Sequence, residues 1–387
     1  MKRSVQVRTC LFSILSSLLL TGCWDAMDVD RMSFPLAGGY DLHIALQADG
    51  REETAPGDLK EPAVDVTSLI PHLVPDGETN EKIEKVSASD AAYGRAVREY
   101  QDDSGYFPGT LQVLVIGHDL AKLGIRPQMD SLNRLSIMSS GLFLCLAEHR
   151  AEEILSARVE NNRDVAFYLQ EMFQDIDRRM FMKSVTLHEF IANLGLGKNP
   201  VLPVVGIVEN NVGVVGCGVF AKDRLLQVLD MADARSLMLP RGCCCTGYLP
   251  YRMEQEGRLW DEGTLRMRNS RKVEAEKDAD GRWHFALRLR LKGSIMERKR
   301  VFRVQDYTPE AIAALERQVA EQVESELTDF IARMQRELGC DCIDIARFAL
   351  AKERRGLEPV IDTPEFIRQA VITVQTEVQI QNWGEKE

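Results

Sequence analysis

A single apolar stripe runs through residues 308–338. Ile312, Leu315, Val319, Val323, Leu327, Phe330, Met334 and Leu338 recur at three- and four-residue spacing. That spacing predicts one helix of about 30 residues, ~45 Å long at 1.5 Å per residue. Thr308 stands as its N-cap, Pro309 at its first position and Gly339 as its stop. So long a stripe needs a broad apolar surface, and the flanking sequence supplies a sheet. Residues 264–296 read as a long β-hairpin turning at Asp278-Ala279-Asp280-Gly281. Its second arm sets Trp283, Phe285, Leu287, Leu289 and Leu291 on one face and Arg288, Arg290 and Lys292 on the other. The closing strand places Ile372, Val374, Val378 and Ile380 on one face. The stripe is expected to pack on this sheet rather than on a partner, and the basic row to be a solvated face.

The first half has a different rhythm. Residues 34–40, 64–70, 111–117 and 141–147 read as strands. The run 111–117 (Leu-Gln-Val-Leu-Val-Ile-Gly) suits a strand covered on both faces. Residues 119–123, 148–155, 165–182 and 188–194 carry helical spacing, while 49–62 and 72–84 read as polar loops. The expected class is therefore α/β, with mixed sheets, packed helices and the long C-terminal helix against a largely antiparallel sheet. Pro200 and Pro203 mark a change of composition. A boundary there gives an N-terminal α/β domain at 23–200 and a C-terminal one at 201–387, the latter divisible in two. Within it, 212–220 reads as a strand, 225–239 as a helix stopped by Pro240, and 343–354 as a helix ending at Gly356.

The N-terminus is of another kind. Lys2 and Arg3 precede an apolar run over residues 10–20, followed by Thr21, Gly22 and Cys23. The run is too short to span a bilayer of ~30 Å as a permanent helix. Small residues before one cysteine suit a lipoprotein signal at 1–22, in preference to an ordinary cleaved leader, with the Cys23 thiol acylated. No later segment is apolar for 18 residues or more, so the anchor is expected to be lipid. Loss of the leader's three cations, Lys2, Arg3 and Arg8, takes the net charge from −11 to −14. A surface so acidic is repelled by nucleic acid, and that role is excluded.

Seven cysteines remain after Cys10 and Cys23: Cys145, Cys217, Cys243, Cys244, Cys245, Cys340 and Cys342. Cys145 and Cys217 lie in strand-like runs and read as core thiols. Three adjacent cysteines point in different directions and do not make a zinc site without a second ligand pair. Cys243, Cys244 and Cys245 are therefore expected to be structural thiols or part of one disulfide, and no metal or cofactor is expected. His118, His149 and His188 are scattered, and no nucleophile-elbow, phosphate-loop or dinucleotide motif appears. No catalytic residue is assigned.

Leu20-Thr21-Gly22-Cys23-Trp24-Asp25 resembles the start of the mature Ger(x)C lipoproteins, the C subunits of spore germinant receptors. Gly39-Tyr40-Asp41 resembles their first strand and its end, and Val113-Leu114-Val115-Ile116-Gly117-His118-Asp119-Leu120-Ala121 their strand-to-helix block. The densest likeness runs from Pro203 to Leu226, including Gly218-Val219-Phe220-Ala221-Lys222-Asp223-Arg224-Leu225. Cys217 and Gly218, the triple cysteine, and the lack of a Pro and Trp after the second C-terminal helix depart from the pattern. The resemblance implies an α/β fold of three small domains and a non-enzymatic subunit. It also implies partners in a membrane-embedded A subunit and a transporter-like B subunit, on the outer face of the spore inner membrane. Only Cys23 carries a defined chemical role. An extracytoplasmic solute-binding lipoprotein serving a transporter and a thiol-dependent enzyme using Cys243 to Cys245 are the rival classes.

Overall fold

The computed structural model describes residues 31–43, 45–46, 52–53, 64–73, 79–102, 104–159, 164–255, 258–299, 308–353, 360–361 and 363–382. The leader, Cys23, most of the 49–62 loop and Gly356 lie outside the described residues.

The first sheet is built from β1 (Ala37–Leu42), β2 (Val64–Leu73), β3 (Thr79–Ala88), β4 (Val113–Ile116), β5 (Phe143–Ala147), β6 (Val201–Val208), β7 (Asn211–Ala221) and β8 (Arg224–Asp230). The spatial order is β8-β7-β6-β5-β4-β1-β2-β3, with the short segment Val185–Thr186 antiparallel to β5. The central pairs β6–β5, β5–β4 and β4–β1 are parallel and the outer ones antiparallel. Both faces of the parallel centre are covered. Val113, Leu114, Val115 and Ile116 are each 0% exposed, as a continuous apolar run requires. Helices α1 (Ala91–Gln101), α2 (His118–Leu123), α3 (Arg126–Asn133) and α6 (Leu187–Gly195) bury one face around Leu114, Leu144 and Phe190. Helices α4 (Ala151–Leu155) and α5 (Val165–Gln174) bury the other around Val113, Val115, Leu169 and Phe173.

The second sheet has the order β9 (Thr246–Gln255), β10 (Arg258–Lys277), β11 (Trp283–Arg298) and β12 (Val371–Asn382). β9, β10 and β11 are antiparallel neighbours, and β12 runs parallel to β11. α7 (Met231–Arg241) joins the two sheets. α8 (Pro309–Arg333) covers the second, with α9 (Ala346–Lys352) and α10 (Pro364–Gln369) beside it. The stripe of α8 is buried from Ile312 to Phe330 against this chain's own core. On the outer face of β11, Arg288 pairs with Glu274 at 3.3 Å and Arg290 with Glu377 at 2.9 Å.

Several local expectations are corrected. Residues 72–73 and 79–84 are strand and not loop: β2 extends to Leu73 and β3 begins at Thr79. β3 is an edge strand, so its many polar residues are its solvated side. Residues 225–239 are not one helix. β8 occupies Arg224–Asp230, and the Asp230 carboxylate then accepts from the backbone N–H groups of Ala232 and Asp233, opening α7. Pro240 does not stop α7. It is buried in the last turn, and the stop is Gly242, at φ 75°. The 165–182 helix breaks at Asp175. The long helix is α-helical to Arg333 and finishes in a π turn, Met334–Leu338, before Gly339 at φ 58°. The first sheet also runs across residue 200. Pro203 is tolerated because it lies one residue before β6 begins to pair with β5 at Val204.

Candidate functional site

Open α/β sheets place ligands at the carboxyl ends of their parallel strands. Here those ends carry Asp41 near the end of β1 and His43 just after it, Gly117 and His118 after β4, and His149 and Arg150 after β5. Asp65, Lys85 and Ser87 reach in from β2 and β3. The Asp41 carboxylate is 2% exposed and accepts from the N–H groups of Ala151 at 2.8 Å and Glu152 at 3.0 Å, so it caps α4. A Cβ on Gly117 would stand 2.1 Å from Asp41 Oδ1, which is why glycine ends β4. Arg150 Nη2 donates to Asp65 Oδ2 at 3.1 Å and lies 3.4 Å from Glu152. Lys85 reaches Glu152 at 2.7 Å and Asp65 at 3.6 Å. Ser87 Oγ donates to Asp65 at 2.6 Å, and His43 Nδ1 lies 2.7 Å from the same oxygen.

Burial pushes the Asp41 carboxyl above its ordinary range, against the two backbone donors. Burial also raises Asp65, but the hydrogen bonds from Ser87 and His43 outweigh it and hold the group low. The hydrogen bond from Lys85 holds Glu152 low. Each acid in the cluster has a cationic or hydrogen-bonding partner. These bonds clamp the strands to the helix. His118 and His149 meet only through the backbone, His118 N–H to His149 C=O at 2.9 Å, and His188 is exposed on α6.

The seven described cysteines are all free. Cys145 and Cys217 are core thiols at 0% exposure, and burial pushes both up, Cys217 to about 12. No disulfide links Cys243, Cys244 and Cys245. Cys243 is half-buried, Cys244 exposed and Cys245 buried. The Cys243 thiol is held down at about 7, first by its hydrogen bond with Cys245 and then, against burial, by Arg241, Lys183 and Arg271. Among the described residues no three of His, Cys, Asp or Glu converge on a point that would hold a metal.

Two arginines that no sequence motif marks tie the elements together. Arg271 on β10 donates to the carbonyls of Pro240, of Ile343 at 2.7 Å and of Asp344 at 3.0 Å. Arg241 donates to those of Cys342 and of Asn199, the latter at 3.0 Å. A groove of about 890 Å³ lies between α8 and the second sheet, with Arg271, Leu289, Arg317, Ala320 and Thr376 in its walls. A cleft of about 350 Å³ lies where α6 faces the end of α7, walled by Lys183, His188, Arg241, Cys243, Asp344 and Arg347.

The fold is shared with a known protein. A solved structure, "Crystal Structure of the GerBC protein", superposes with a TM-score of 0.56 at 13% identity, covering 91% of this chain and 99% of that one. This likeness concerns the fold. A relative in Bacillus subtilis (strain 168), "Putative spore germination protein YfkR", is 22% identical over 322 residues, spanning 77% of this chain and 76% of the relative. The family described as "Spore germination protein N-terminal domain" matches residues 25–207. That described as "Spore germination B3/ GerAC like, C-terminal" matches residues 215–384. With the two halves of one family following each other along almost the whole chain, this is a spore germination protein of the Ger(x)C family.

Proposed function

We propose that the protein is the lipid-anchored C subunit of a nutrient germinant receptor, held at the outer face of the spore inner membrane through an acylated Cys23. In this reading it works through contacts with the membrane-embedded A and B subunits and not by catalysis. The family match carries the reading: it begins at residue 25, two residues after the cysteine that ends the leader-like run. Among the described residues no helix is long and apolar enough to cross a membrane. Attachment then falls to acyl chains, each buried methylene contributing ~0.8 kcal/mol, with two chains needed for a stable hold. The saturated charges around Asp41 and Asp65 agree with a scaffold.

Replacing Cys23 with Ala tests the anchor. The expected outcome is protein lost from the spore membrane fraction together with loss of nutrient-triggered germination. A variant strain that germinates normally and keeps the protein at the membrane overturns the acylation-dependent role. The solute-binding reading draws on the groove beneath α8. That reading predicts two similar lobes around a cleft, whereas the two sheets here differ in strand number and direction. Calorimetry with candidate nutrients separates the two, because saturable micromolar binding favours the solute binder.

A further inference from the structure

The parallel strands of the first sheet have a second end, opposite the one that carries Asp41. β6, β5, β4 and β1 are neighbours in that order, and each is entered there by a loop. Every one of these loops holds a large apolar side chain that is not buried: Leu196 before β6, Ile137 before β5, Phe107 before β4 and Phe34 before β1. Leu196 is 67% and Ile137 44% exposed, and the half-buried rings of Phe34 and Phe107 meet edge to face at 5.9 Å. Gly109 lets two of the loops close on each other: a Cβ there would stand 2.7 Å from the Ile137 carbonyl oxygen and 2.8 Å from the Phe107 ring. Phe107 N–H donates to the Ser33 carbonyl at 3.0 Å, and Arg98 of α1 donates to Ser33 Oγ at 2.8 Å. The last turn of α1, with Tyr100 at 78% exposure, is thereby held at the same end. Exposed apolar residues are ordinary when scattered, whereas here they form a row across four adjacent strand entries.

We propose that this end of the first sheet rests on the surface of an anionic lipid bilayer, with the row dipping into the headgroup region. It rests on the anchor proposed at Cys23. Eight peptide steps separate Cys23 from Arg31, a reach of at most about 29 Å, and Arg31 leads straight into Phe34. The opposite end, at Asp41, is a further ~20 Å away along β1. A short tether keeps the row at an effective concentration in the millimolar range over the lipid, so a weak contact is populated. Aromatic side chains favour the headgroup level, where an apolar ring and a polar tip both find partners. Arg31 and Arg134, both exposed, each stand three residues before a member of the row, Phe34 and Ile137, and match lipid phosphates in charge. Of the described acids beside Tyr100, Asp102 is held by Arg98 at 3.3 Å and Glu99 is exposed. Local charge thus favours the contact although the chain as a whole is acidic.

The test uses residues 24–387 with a hexahistidine tag in place of Cys23, tethered to nickel-chelating vesicles of phosphatidylcholine with or without about 30% phosphatidylglycerol. This tether works whether or not Cys23 is acylated in the spore, so failure here is distinct from failure of the anchor, which fractionation of the Cys23→Ala strain reports. Hydroxyl-radical labelling is read by mass spectrometry on the tethered chain and on the same chain mixed with vesicles that lack the nickel lipid. Tethering is expected to lower labelling of Tyr100, Phe107 and Ile137 at least about threefold, more so on anionic vesicles, and to leave the exposed Tyr248 of β9 unchanged. The double variant Ile137→Ser, Leu196→Ser is expected to return Tyr100 and Phe107 to the untethered level. Circular dichroism checks its fold; if it does not fold, the footprint of the unsubstituted chain decides alone. Equal labelling of the row with and without tethering overturns the proposal and leaves the row to a protein partner. So does equal protection of Tyr248, or full protection in the folded double variant.

Discussion

Glu81 and Asp164 meet where β3 passes the N-terminus of α5. Glu81 Oε1 accepts from Val165 N–H at 2.9 Å, and Asp164 caps the same helix through Ala166 N–H at 2.8 Å. Burial, and then the hydrogen bond and charge of Asp164, push Glu81 up to about 7 from its ordinary 4.5. A carboxyl raised in the folded state stabilises fully below its unfolded value and loses that contribution as pH climbs through its folded value. Stability is therefore expected to fall between about pH 4.5 and pH 7 on account of this pair. Glu81→Gln, which mimics the protonated form, is expected to gain about 1–2 kcal/mol at pH 8, after discounting for the group's partial exposure, and little at pH 5. Urea denaturation at both pH values checks this, and an equal effect at the two pH values contradicts it. Residues of this kind were the least legible in the sequence. Cys145 and Cys217 are readable as core thiols because they sit inside apolar runs. The clamp at Asp41, Asp65 and Arg150 joins positions up to 109 apart in the chain, and no local pattern brings such groups together.

At the scale of elements, α8 does more than bury its stripe. β12 is an edge strand, and an unpaired edge invites another chain. The outward N–H groups of Thr376 and Ile380 instead donate to Glu324 and to Glu316 of α8, the latter at 2.7 Å. Eight residues along a helix and four along a strand both span about 12–13 Å, so the two carboxylates match alternate outward donors. The double variant Glu316→Ala, Glu324→Ala is expected to lose about 1–3 kcal/mol and to self-associate through the freed edge. Glu→Gln at both positions keeps the acceptors and is expected to do less. Denaturation and concentration-dependent light scattering measure both effects; a monomeric Ala variant of unchanged stability removes this role for α8. Elements with a single apolar face were legible beforehand: α8, the β10–β11 hairpin and β12 appear where periodicity puts them. β3 did not, because a largely solvated edge strand shows few apolar residues, and β8 did not, because Leu225, Leu226, Val228 and Leu229 fit helix spacing as well as strand spacing. Asp230, an N-cap between the two patterns, is the signal that separates β8 from α7.

For the whole molecule, the question is how far the halves depend on one another. The change of composition at Pro200 marks the passage from α6 into β6, and the sheet continues through it. β5 pairs with β6 at Leu146–Val204 and Ala147–Val205, and β7 and β8 then extend the sheet outward. One apolar cluster links both sheets, holding Cys145, Leu169 and Phe173 together with Cys217, Leu237, Leu249 and Phe330. Arg241 adds a polar tie to the Asn199 carbonyl. A fragment ending at residue 200 leaves β5 unpaired at Leu146 and Ala147 and uncovers the core side that Leu237 and Phe330 close. Such a fragment is expected to aggregate or to lack a dispersed amide spectrum, while residues 23–387 unfold in one transition with coincident fluorescence and circular dichroism curves. A well-dispersed spectrum from the 23–200 fragment, or two separate transitions in the whole chain, means that the shared cluster does not couple the halves. The coupling bears on the receptor reading, because a subunit that folds as one unit passes a force at one end to contacts at the other. Two beads joined by a loose linker do not.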